Sequence, residues 1–124
     1  MCSVGLDEDM MEEENVLCAA SAYDKKFYLN DKYDKLPSNV KDELKVICVL
    51  FTESAGGIII MEFDDDGSLL IKTEADEGDL LYDEIGASLE VRRIQREYEE
   101  TFKMLEMYYR VFFLGQKPED AAAE

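Results

Sequence analysis

Five residues, Asp64-Asp65-Asp66-Gly67-Ser68, constrain the fold of this chain more than any others, because they stand between two apolar runs, Ile58 to Phe63 and Leu69 to Thr73. Apolar, β-branched runs flanking an Asp/Gly cluster predict a β-hairpin. Loop length then decides the register. With Asp66-Gly67 alone as the loop, Met61 faces Lys72. With Asp65-Asp66-Gly67, Phe63 pairs with Leu69, Met61 with Ile71 and Ile59 with Thr73. The second register gathers Ile59, Met61, Phe63, Leu69 and Ile71 on one face, and a slip of one residue would turn that set to solvent. A three-residue loop with glycine in its left-handed position is a known hairpin solution, so it is the expectation here.

The rest of the chain reads as a similar unit followed by a long helix. Val16 to Ala22, a polar Asp24-Lys25-Lys26 and Phe27-Tyr28-Leu29 predict a first hairpin. Leu36-Pro37-Ser38-Asn39 opens a helix, with Asp42 and Glu43 near its positive end. Val40, Leu44, Ile47 and Phe51 line one face of it. From Val46 to Phe51 every residue is apolar, which predicts burial all round. Gly56-Gly57 ends it. After an acidic connection, Glu74 to Asp79, a helical region runs to Phe113, with Gly86-Ala87-Ser88 as the expected place for a kink or split. Its seam is Ala87, Val91, Ile94, Tyr98, Thr101, Leu105, Tyr108 and Phe112. Arg93–Glu97, Arg96–Glu100, Glu99–Lys103 and Glu106–Arg110 stand four apart as stabilising charge pairs. The order is ββαββα: an α+β fold, a four-stranded antiparallel sheet with two helices packed on one face.

A length of 124 residues suits one domain. Residues 1–14 read as a flexible acidic leader, 15–114 as the α+β domain and 115–124 as a flexible tail. Thirty Asp and Glu against thirteen Lys and Arg give a net charge of −17. That charge disfavours nucleic acid and anionic membrane surfaces as partners, and permits a basic protein or a cation. Histidine is absent, which excludes Ser-His and Cys-His dyads, histidine metal ligands and a histidine pH switch. Cys18 and Cys48 sit in apolar runs as core residues, with Cys2 apart from them, so no disulfide framework is expected. Reduced thiols, no secretory signal and no apolar run long enough to span a bilayer point to the cytoplasm.

No motif carries catalysis or a cofactor. The acidic turn fails as an EF-hand: with Glu62 in its first position the twelfth is Thr73, where a glutamate is required. Gly56-Gly57 lacks the Lys-Ser/Thr of a phosphate loop. Asp76, Asp79, Asp83 and Glu84 would serve a metal or acid–base site only if they converge in a cleft. Arg92, Arg93 and Arg96 alternate with glutamates as helix-stabilising pairs do. Tyr23, Tyr28 and Tyr33 fit packing better than a ligand groove. The end of the last helix is apolar nearly all round, so Phe102, Leu105, Tyr108, Tyr109, Phe112 and Phe113 form the candidate interaction surface. A continuous helix of about 26 residues from Ala87 would be roughly 39 Å long, which suits homodimerisation. Ile58, Ile60 and Leu70 on the far sheet face offer a second candidate surface.

Several words of the sequence are familiar in their order: Val16-Leu17-Cys18-Ala19-Ala20, Leu36-Pro37 with Val40-Lys41-Asp42-Glu43-Leu44, Cys48-Val49-Leu50-Phe51-Thr52-Glu53, Leu81-Tyr82-Asp83-Glu84-Ile85-Gly86 and Met107-Tyr108-Tyr109-Arg110-Val111-Phe112-Phe113-Leu114-Gly115. Over roughly residues 15–115 they resemble an uncharacterised family of small acidic proteins from clostridial Firmicutes. The resemblance implies a bacterial cytoplasmic source and brings no activity, ligand or site. The function expected from the residues is a non-enzymatic interaction module, homodimeric through the C-terminal helix, with a protein partner or self-association and no cofactor. The alternatives are an acidic mimic of nucleic acid that occupies a basic protein, and a small carboxylate-based metal-binding enzyme.

Overall fold

Alternating apolar side chains and turn chemistry lay out the sheet. The structure, a computed structural model, describes residues 15–115; the expected leader at 1–14, Cys2 and the tail from residue 116 lie outside the described residues. Strands β1 (Val16–Ser21), β2 (Lys26–Leu29), β3 (Ile58–Phe63) and β4 (Leu69–Glu74) form one antiparallel sheet in the order β2-β1-β3-β4. In the second hairpin Phe63 pairs with Leu69, Met61 with Ile71 and Ile59 with Thr73, the register of the three-residue loop. Asp64 holds this turn. Its Oδ1 accepts the N–H groups of Asp66 and Ser68, each at 2.9 Å. Gly67 has φ +87, and a Cβ there would lie 2.6 Å from Arg110 Cγ. Glycine therefore serves both the left-handed backbone and the approach of the arginine.

A bulge between Val16 and Cys18 turns both Leu17 and Cys18 toward the helices. The first hairpin closes through Ala22–Lys25, where Lys25 has φ 53 and is the one non-glycine residue with positive φ among the described residues.

Three helices cover one sheet face: α1 (Ser38–Ala55), α2 (Glu84–Glu97) and α3 (Glu99–Phe112). The expected pair of helices is thus corrected to three, and the break lies at Tyr98 rather than at Gly86-Ala87-Ser88. Those three residues instead sit in the first turns of α2, where Asp83 caps the helix by accepting from Gly86 N–H at 3.0 Å. Tyr98 takes φ −112 and ψ 25, outside the helical region. The charges fit this division: Arg96 closes α2, and Glu99 and Glu100 open α3 at its positive end. A straight helix of roughly 39 Å would overrun six-residue strands of about 20 Å. The break lets α3 reach the second hairpin, where Glu106 Oε2 accepts from Leu69 N–H at 2.7 Å and Arg110 Nε donates to the Asp66 carbonyl at 3.1 Å.

One core joins all these elements. Phe63, Ile47, Phe51, Ile59, Met61, Ile94 and Leu105 are buried in it, and Ile71 and Tyr98 pack against it. Phe63 stacks on Tyr109, with ring centroids 4.3 Å apart. Tyr33, fully buried, meets the rings of Phe63 and Phe113. Cys18 and Cys48 are free, with sulfurs 3.8 Å apart and each 3.7 Å from Met61 Sδ. The hydrogen bond with Cys48 and burial hold the Cys18 thiol well above its ordinary pKa, so it stays protonated and unreactive. Val16, Ala19, Ile58 and Ile60 form a smaller buried cluster on the other sheet face. Ile58 and Ile60 are therefore not surface residues; of that expected second surface, Leu70 alone is exposed.

Candidate interaction face

The apolar residues of the last helix divide between two roles. Phe102, Leu105 and Tyr109 are buried in the core. Tyr108 and Phe113 are half-buried and pack against it. Phe112, at the helix end, is 70% exposed and lies against Tyr108 at a ring distance of 4.7 Å. Met104 and Met107 are the other exposed apolar residues within α3. Most of the aromatic cluster read from the sequence is thus committed to the sheet.

A larger apolar surface lies on α2 and the loop before it. Leu81, Ile85 and Leu89 are 94%, 76% and 60% exposed. They recur every four residues, and Arg92 and Arg96 continue the same outward row by helical spacing. Asp79 lies in the loop before α2, Asp83 caps the helix and Glu84 opens it, so carboxylates gather at its start and Arg92 and Arg96 stand toward its end. On the neighbouring α1, Val46 and Leu50, one turn apart, are both about half exposed. The expectation that Val46 to Phe51 is buried all round is therefore corrected. Ile47, Cys48 and Phe51 face the sheet, whereas Val46 and Leu50 point away from it, because the helical layer is covered on one side only. On α2, Arg93 pairs with Glu90 and, at 2.7 Å, with Glu97. The Arg93 hydrogen bond holds the Glu90 carboxyl below its usual range. Thr101 Oγ1 of α3 donates to Glu43 Oε1 of α1 at 2.6 Å.

The acidic connection is brought together and occupied by the backbone. Asp76, Asp79, Asp83 and Glu84 line a surface groove of about 710 Å³ with Thr73, Tyr82 and their neighbours. Asp76 Oδ1 accepts from Gly78 N–H, Asp79 Oδ1 from Leu81 N–H and Asp83 Oδ1 from Gly86 N–H. Tyr23 clips this loop to the first hairpin: its hydroxyl donates to Asp79 Oδ2 at 2.6 Å and accepts from Asp76 N–H at 2.9 Å. Desolvation first, then the bond to Asp79, raises the Tyr23 phenol pKa. Among the described residues, no three Cys, Asp or Glu side chains are disposed to hold a metal ion. Among them, too, no helix is long and apolar enough to cross a membrane.

The exposed row was written in the sequence as Leu81, Ile85, Leu89 at a spacing of four, but the acidic residues around it masked the signal. Residues 14–117 match the model of a family of unknown function, DUF6145, and the chain belongs to that family. No curated protein and no solved structure matches it.

Proposed function

We propose that this member of DUF6145 is a non-enzymatic interaction module of the bacterial cytoplasm that pairs with a second copy of itself through the outward face of α2. The observation that carries the reading is the exposed row Leu81-Ile85-Leu89. Fully burying one such side chain stabilises a complex by about 1.5–3 kcal/mol, before the costs of association. The same helix face supports a second copy as occupant. Carboxylates at the start of α2 (Asp79 in the loop, Asp83 at the cap, Glu84 in the first turn) and arginines toward its end (Arg92, Arg96) complement each other when two helices pair antiparallel about a two-fold axis near Leu89, an isologous contact. Two chains of −17 repel overall, and Arg92 and Arg96 reduce that repulsion on this face.

Sedimentation equilibrium across a range of salt tests the reading. A dimer that tightens as salt rises is expected, because screening weakens the net repulsion. Ile85→Glu and Leu89→Glu, both at exposed positions, should give folded monomers. A wild-type chain that stays monomeric at high concentration in high salt overturns the proposal.

A further inference from the structure

The first hairpin and α1 enclose a cleft of about 610 Å³, lined by Ser21, Ala22, Lys25, Lys26 and Phe27 from the hairpin and by Lys45, Val49, Thr52 and Glu53 from the helix. We infer that this cleft binds a small phosphorylated compound with an apolar or aromatic body. The volume lies within the range of small-molecule sites, and the wall joins Ala22, Phe27 and Val49 to six polar or charged residues.

Three observations converge on an anion. In a chain with thirteen cations and thirty carboxylates, three lysines meet one cleft that a single carboxylate, Glu53, also lines. Among the described residues none of Lys25, Lys26 and Lys45 forms an ion pair, whereas Lys41, Lys72, Arg93 and Lys103 each do. Lysine ammonium groups act as compact point charges and suit a phosphate.

The second observation is backbone strain. Lys25 holds φ 53, a conformation that glycine, asparagine or aspartate adopts at lower cost. A lysine kept there gives up stability at a position where its side chain lines the cleft, and such outliers cluster at ligand sites. The third is Ser21. It is buried, and its Oγ already accepts from Tyr23 N–H at 3.1 Å and from Asp24 N–H at 3.2 Å. Its own hydroxyl proton is thus left to donate, beside the lysines. Phe27 and Val49 supply the apolar wall for the ligand's body.

Nitrogen-15 NMR titration of the full chain with phenyl phosphate, inorganic phosphate and benzyl alcohol tests the assignment. Phenyl phosphate should shift the amides of Ser21–Phe27 and Lys45–Glu53. Inorganic phosphate should shift the same amides at higher concentration, and benzyl alcohol should shift them least. Lys25→Gly removes one cation while relaxing the backbone, so phenyl phosphate affinity should fall about tenfold with no loss of thermal stability. Lys45→Ala, on an exposed helix position, should do the same. Amides that stay in place at millimolar phenyl phosphate overturn the proposal. So does a Lys25→Gly chain that is folded and binds undiminished. Equal shifts by benzyl alcohol and phenyl phosphate would replace the anion site with a merely apolar groove and overturn it as well. The cleft shares no residue with the α2 row, and repeating the titration on the Ile85→Glu monomer separates failure of this assignment from failure of the dimer reading.

Discussion

The two hairpins solve the same turn problem with different residues. The second closes on Gly67 at φ +87, and the first needs a left-handed residue too but places Lys25 there at φ 53. The second hairpin is also stapled from outside, by Arg110 to the Asp66 carbonyl and by Glu106 to Leu69 N–H. The first is held by Ser21 from within and by Tyr23 to the acidic loop. One turn is optimised for closing the sheet. The other carries a side chain that closure alone does not require.

The largest effect that separates the hairpins lies in their anchors. Phe63→Ala empties a fully buried site stacked on Tyr109 and should cost about 3–5 kcal/mol in denaturant unfolding. Phe27→Ala, at a half-buried position, should cost under about 2 kcal/mol. Equal losses would break the distinction. At the turns the signs themselves should differ. Gly67→Ala forces a Cβ into left-handed backbone and against Arg110, and should lose about 2 kcal/mol. Lys25→Gly should gain about 1 kcal/mol by the same measurement. Should Lys25→Gly destabilise the chain, the strain argument for that residue fails.

The smallest effect concerns Tyr23, in the first turn. Its phenol ionises above its ordinary 10.0 in the folded chain, so the neutral form is the one the fold favours. The contact with Asp79 and Asp76 is therefore fully present below pH 10.0 and is lost as pH climbs through the raised value. The difference in ultraviolet absorbance between the wild-type and Tyr23→Phe chains should show the Tyr23 phenol titrating late, and amide exchange should show residues 76–83 loosening with it. Tyr23→Phe should loosen the loop at neutral pH and leave the global midpoint nearly unchanged.

How far the sequence reaches also differs between regions. The second hairpin was legible to the residue, because one-sided apolar alternation admits only one register with glycine in the left-handed place. The first hairpin and the capping of α1 by Gly56 and Gly57 were legible for the same local reasons. The division of the last helix was not. Its heptad seam runs unbroken through Tyr98, and only the charges on either side of that residue, Arg96 before and Glu99 and Glu100 after, mark a new end and start. Periodicity reports which face is apolar but not where a helix outgrows the sheet beneath it. The same gap explains the surface. The apolar stretch Val46 to Phe51 and the aromatic stretch Phe102 to Phe113 look alike in composition, and only packing shows that Leu50 and Phe112 are left outside while Phe51 and Leu105 are not. The lysine cleft had no signature at all, since Lys25 and Lys45 are twenty positions apart in sequence and meet through the fold.

The sulfur trio of Cys18, Cys48 and Met61 makes the molecule its own timekeeper. With both thiols fully enclosed, an alkylating reagent can reach them only when the sheet parts from α1. The speed of their modification in a large excess of reagent, followed by mass on the peptides that carry Cys18 and Cys48, then measures how often the centre opens, without a dye or a denaturant.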